Sequence, residues 1–173
     1  IAYAFVTAAA GVPVILHSTT GLIPKSGLTH ANILESLGVS AFLEPKEVEK
    51  QIEKHNFGFL HAKYFAFGIE TLRDVRAKLG YRTLLNTCET VNNPANAKNM
   101  VFGAAHFPFI EKLLNVVKEH GVTRALGVEG LEGSEELPMK PVGVIELKDG
   151  KLNSFELSPD DFGFKTQEKT SGK

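Results

Sequence analysis

The sequence predicts an α/β fold, with a largely parallel sheet flanked by helices and a C-terminal antiparallel hairpin. Segments with apolar residues at helical spacing alternate with short β-branched runs for most of the length, the pattern of units whose strands lie parallel. Near the end, VGVIELKDGKLNSFEL sets two extended runs around Asp149 and Gly150, a strong hairpin signal. No internal repeat is visible.

Residues 1–10 read as a buried helix stopped by Gly11, and VPVILH after it as an interior strand. Thr29 is placed to cap a helix through Leu37, with Ile33, Leu34 and Leu37 on one face and Gly38 just past its end. Pro45 suits the first turn of the next helix, EVEKQIEKH, whose Val48 and Ile52 point inward. FGFLHA reads as a strand, and residues 69–79 as a helix ended by Gly80. The asparagine-rich stretch YRTLLNTCETVNNPANAKN favours loop. MVFGAA is a strand, and Pro108 to His120 is an amphipathic helix carrying Ile110, Leu113, Leu114 and Val117, ended by Gly121. RALGVEG is a strand that precedes the hairpin.

Composition bounds what such a chain does. Its 173 residues suit one ordinary domain, expected over 1–164, with KTQEKTSGK at 165–173 as a flexible polar tail. The chain opens at Ile1 on an apolar stretch without a basic flank, so an internal helix of a longer protein fits better than a signal peptide. No apolar run approaches the roughly 18 residues of a membrane span, so no membrane partner is expected. A net charge of −1 lacks the basic excess of a protein that grips phosphate backbones. The single Cys88 excludes an internal disulfide and points to an intracellular, cytoplasmic protein.

In open α/β sheets, ligands gather beyond the carboxyl ends of the strands, so the loops there are the candidate sites. The first, HSTTGLIPKSGLTH, brings glycines, hydroxyls and Lys25 to a helix start, where unpaired backbone N–H groups favour an anion. An ordinary capped connection has the same composition. The loop after RALGV holds Glu129, Glu132, Glu135 and Glu136, oxygen ligands of the kind hard magnesium prefers, or a plain acidic surface. Lys63, Arg73, Arg76, Lys78 and Arg82 form a local basic zone, either a phosphate contact or a solvated face. Cys88 has no accompanying histidine motif and reads as a plain residue.

The segments TAAAGVPVILH, PKSGLTHANILESLG, VRAKLGYRTLLN with NNPAN, RALGVEG and LSPDDFGF, in that order, resemble the anthranilate phosphoribosyltransferases, and the resemblance covers nearly the whole chain. It implies transfer of phosphoribose from phosphoribosyl diphosphate to a small aromatic amine or base, with Mg2+ holding the diphosphate. It also implies a small helical domain and a GTGGD loop, which would lie before Ile1, and a homodimer in the full-length protein. Carried over residue by residue, Lys25, Ser26 and Gly27 match the diphosphate-binding loop, and His17 and Arg76 the acceptor-binding residues. Glu135 and Glu136 match the family's Asp-Glu metal pair, with one ligand longer by a methylene. No catalytic residue is assigned.

The departures point to a divergent branch. Where the family reads KHGN, this chain has LHST, with Leu16 at the lysine and Thr19 at the asparagine. Where the family reads LGPL, it has TCETV, and Glu89 is expected to bring negative charge close to an acceptor that in relatives is an anion. Some relatives of that branch bind nucleic acid, so the alternative is a non-catalytic nucleic-acid-binding protein that kept the fold.

Overall fold

The computed structural model describes residues 1–19 and 29–165. The chain divides into two compact units, Ile1–Asn86 and Thr87–Lys173.

The first unit begins with α1 (Ala2–Ala9), whose Ala4 and Ala8 are buried one turn apart while Tyr3 and Val6 are exposed. The helix expected to be buried therefore buries only a stripe, because alanine lets its backbone lie close on one side. Gly11, at φ 86°, turns the chain into β1 (Val14–Ser18). Helix α2 (His30–Ser36) starts as the sequence predicts. The Thr29 hydroxyl accepts from the Asn32 backbone N–H at 3.3 Å, and the Asn32 side chain accepts from the Thr29 N–H at 3.0 Å.

Helix α3 (Pro45–His55) has proline in its first turn and ends at Asn56, left-handed at φ 54°. It leads into β2 (Phe57–His61), which pairs parallel to β1 with Val14 opposite Phe57 and Ser18 opposite His61. A side chain at Gly58 would strike Ile52 and Val48, so this glycine is what lets α3 lie tight on β2. The core joins Ala4, Ala8, Leu16, Ala31, Leu34, Phe57 and Phe59.

The helix expected over 69–79 is two pieces, α4 (Phe67–Glu70) and α5 (Arg73–Leu79). The Thr71 hydroxyl donates to the Gly68 carbonyl at 2.9 Å, a local bond that competes with continuing the helix. A second correction falls on the asparagine-rich stretch, where Leu84–Thr90 is helical, α6. The Thr83 N–H donates to Asn86 Oδ1 at 2.9 Å, so an asparagine counted as a breaker satisfies an orphan donor at the helix start.

The second unit holds β3 (Asn99–Gly103), α7 (Phe107–Glu119), β4 (Arg124–Val128), β5 (Val142–Lys148) and β6 (Lys151–Leu157), with strand order β3-β4-β5-β6. β3 and β4 run parallel, and β5 is antiparallel to both β4 and β6. α7 buries the apolar face read from the sequence, Ile110, Leu113, Leu114 and Val117, in a core with Phe102, Ala125, Ile145 and Leu147. The hairpin turns at Asp149 (φ 51°) and Gly150 (φ 75°), the paired positive φ of the turn that matches strand twist. An α/β fold with parallel pairs and a C-terminal hairpin is thus what the chain adopts. Among the described residues no helix is long and apolar enough to cross a membrane.

Candidate functional site at the strand ends

The parallel pairing of β1 and β2 puts both carboxyl ends side by side in the first unit, and polar side chains collect there. His17 is half-buried, its ring set edge-on to Phe65 at 5.5 Å and 86°. Thr19, just past β1, donates its hydroxyl to Glu70 Oε2 at 3.0 Å, across 51 residues of chain. Glu70, the last residue of α4, accepts at its other oxygen from Arg73 Nη1 at 3.1 Å. One carboxylate therefore ties the end of β1 to the start of α5.

His61 ends β2 and is 1% exposed. Its Nδ1 accepts from the Lys63 N–H at 3.1 Å, so that nitrogen carries no proton. Its ring tilts against Phe42 at 5.1 Å. Burial pushes its pKa below the ordinary histidine value; Glu70 opposes that shift, and Lys63 and Arg73 add to it. The neutral form is thus favoured in the folded chain, and the stability this gives is present above the unfolded pKa near 6.5 and lost as pH falls through it toward the folded value. Lowering the pH from 7.5 to 5.5 is expected to reduce the melting temperature. In His61→Asn, which keeps an acceptor but cannot titrate, the drop is expected to be smaller; an equal drop in both proteins would show that another group carries it.

The basic zone divides by environment. Arg76, in α5, is 5% exposed rather than a surface arginine. Lys63 Nζ sits over the Tyr64 ring at 4.5 Å and the Phe42 ring at 5.3 Å. Arg73 pairs with Glu70, and only Lys78 and Arg82 of the five are exposed. Among the described residues no buried side-chain nitrogen or oxygen lacks a hydrogen-bond partner, so the buried guanidinium is satisfied. Lys25, Ser26 and Gly27 lie outside the described residues.

In the second unit the acidic loop is held against the carboxyl end of β3. A side chain at Gly103 would collide with the Ser134 carbonyl, and one at Gly130 with the same carbonyl. The loop is closed by the Leu131 N–H donating to the Glu136 carbonyl at 2.8 Å and the Ser134 hydroxyl to the Leu131 carbonyl at 2.7 Å. Glu132 takes a left-handed conformation at φ 52°. Glu135 is half-buried and Glu136 exposed.

Among the described residues no group of three or more His, Cys, Asp or Glu is placed to hold a metal. Glu135 and Glu136 are two neighbouring carboxylates of this loop, and magnesium commonly takes one or two such ligands with phosphate and water completing its shell. In the same unit Glu89 lies half-buried in α6, and Cys88 beside it is exposed. Sequence reasoning missed His61 and Glu70. His61 stood at the end of a predicted strand, where the carboxyl-end rule points, whereas nothing local marks a carboxylate whose partner is 51 residues away.

Three comparisons place this geometry. An anthranilate phosphoribosyltransferase of Methanobrevibacter smithii is 36% identical over 91% of this chain and 47% of its own length. The crystal structure of anthranilate phosphoribosyltransferase from Thermus thermophilus superposes with TM-score 0.77 at 31% identity, over 95% of this chain and 48% of that one. The Saccharomyces cerevisiae enzyme, solved in complex with PRPP and Mg, shares the fold at TM-score 0.68 and 19% identity, over 95% and 46%. The chain thus spans about half the length of the curated relatives it matches. The sequence model described as the glycosyl transferase family, a/b domain, matches residues 1–172. With its strand-end polar cluster on a scaffold shared at 0.77, the chain belongs to the glycosyl transferase family, as its a/b domain.

Proposed function

We propose that the chain is the α/β part, residues 1–164, of a cytoplasmic phosphoribosyltransferase that moves phosphoribose from phosphoribosyl diphosphate to an aromatic amine or base with magnesium, as a homodimer in the full-length protein. The observation that supports it most is the gathering of His17, Thr19, His61 and Glu70 at the carboxyl ends of two parallel strands, in a chain whose curated relatives carry that activity by name.

In the reaction the ribose C1–O bond to diphosphate breaks as the acceptor nitrogen bonds to C1, and the nitrogen then gives up a proton to solvent. Bound magnesium would neutralise charge on the departing diphosphate, with Glu135 and Glu136 holding it directly or through water. Lys25, Ser26 and Gly27 contact the diphosphate through a cation, a hydroxyl and backbone amides. His17 and Arg76 form the acceptor end, the ring of His17 fixed by Phe65 and Arg76 supplying positive potential from a buried position. Catalysis of this kind rests on positioning and charge rather than on a covalent intermediate.

Calorimetric titration of the full-length protein with phosphoribosyl diphosphate tests the donor half. Binding is expected with magnesium present and at least roughly tenfold weaker without it, the size of one lost ionic contact. Equal binding in both conditions would contradict the metal assignment, and no binding in either would contradict the proposal.

A further inference from the structure

The Thr19–Glu70 contact bears on which acceptor the strand end takes. A threonine hydroxyl has one proton to donate and two lone pairs. Here the proton is committed to Glu70 Oε2 at 3.0 Å, and Glu70, 18% exposed and braced by Arg73 at 3.1 Å, is an acceptor only. The hydroxyl is thereby fixed as an acceptor toward anything else that meets it. Its neighbour His17 stands two residues earlier at the same strand end.

Among the described residues, Arg73 is paired with Glu70 at 3.1 Å and Arg76 is buried. A carboxylate brought against Thr19 meets lone pairs where it needs a donor, whereas an N–H donor meets a pre-oriented acceptor.

We infer that Glu70 is a specificity-determining residue, which fixes the Thr19 hydroxyl as an acceptor and so selects an uncharged, N–H-bearing aromatic acceptor over one that carries a carboxylate. The inference rests on the reading of this strand end as the acceptor end. In the transfer step the N–H accepted by Thr19 orients the amine so that its lone pair is directed elsewhere, toward the ribose carbon; Glu70 itself acts only through Thr19.

Anthranilate and its amide, 2-aminobenzamide, share ring and amine and differ in that charge, so they are the probes. Their dissociation constants are measured on the full-length protein by fluorescence titration, in wild type, Glu70→Gln, Thr19→Val and Thr19→Ser. Wild type and Thr19→Ser are expected to prefer the amide roughly tenfold, the worth of one hydrogen bond of this class. Thr19→Val, which removes the hydroxyl, is expected to lose the preference, and Glu70→Gln, whose amide offers a donor as well as an acceptor and so no longer fixes the hydroxyl's direction, is expected to weaken it.

Equal affinities in wild type, no binding of either probe, or an unchanged ratio in Thr19→Val would overturn the inference, and Thr19→Val carries the test if Glu70→Gln fails to fold. Diphosphate release is scored separately. Release with an unmoved ratio sinks the selectivity alone, and a moved ratio without release sinks the transferase reading alone.

Discussion

Gly103→Ala is expected to destabilise the protein by about 3 kcal/mol, the upper range for forcing a methyl into a filled space. Its methyl would take the place of the Ser134 carbonyl, a backbone atom that cannot rotate aside. Nor is the loop free to retreat. The Leu131-to-Glu136 and Ser134-to-Leu131 hydrogen bonds hold it as a unit, and Gly133 lies against the backbone at Ala105. Urea unfolding checks this, as the shift in midpoint multiplied by the denaturant slope. A loss under about 1 kcal/mol would mean that loop and strand are less tightly apposed than the structure has them. The same variant displaces Glu135 and Glu136, so binding that depends on them should weaken even in protein that remains folded.

The larger functional effect is expected from Glu135→Gln with Glu136→Gln. Glutamine keeps the shape and removes the charge, so the loop should fold unchanged while its oxygens lose most of their affinity for a hard cation. The proposed role predicts a loss of roughly a hundredfold or more in magnesium-dependent turnover, the scale of removing one electrostatic contact to developing charge. Glu136→Gln alone should hardly move the melting temperature, since Glu136 is exposed. A double variant with wild-type magnesium dependence would transfer the metal role to other residues.

Legibility in the sequence followed the range of the forces involved. The Thr29 cap, the Pro45 start, the apolar face of α7 and the Asp149-Gly150 hairpin are decided within a few residues, and each formed where periodicity and turn chemistry indicated. α6 was misread because asparagine is a breaker in a helix interior but a partner at its third position, a difference of register rather than composition. The break between α4 and α5 turned on one threonine hydroxyl competing for a carbonyl. Family motifs mark His17, Arg76 and the acidic pair as candidates in the sequence, and the structure sets the first two in the first unit and the pair in the second. The Thr19–Glu70–Arg73 tie and the neutral His61 were not legible, because they arise only when β1, β2 and α4 are brought together.

Diphosphate release decides whether this strand-end cluster supports phosphoribosyl transfer. The full-length protein is incubated with phosphoribosyl diphosphate, magnesium and a panel of aromatic amines and bases, and liberated diphosphate is followed over time. Release is expected to need both magnesium and an acceptor, and to be strongest with an uncharged N–H-bearing ring. No release with any acceptor, together with a salt-sensitive gel shift of single-stranded DNA or RNA, would contradict this and leave a nucleic-acid-binding protein on a transferase scaffold.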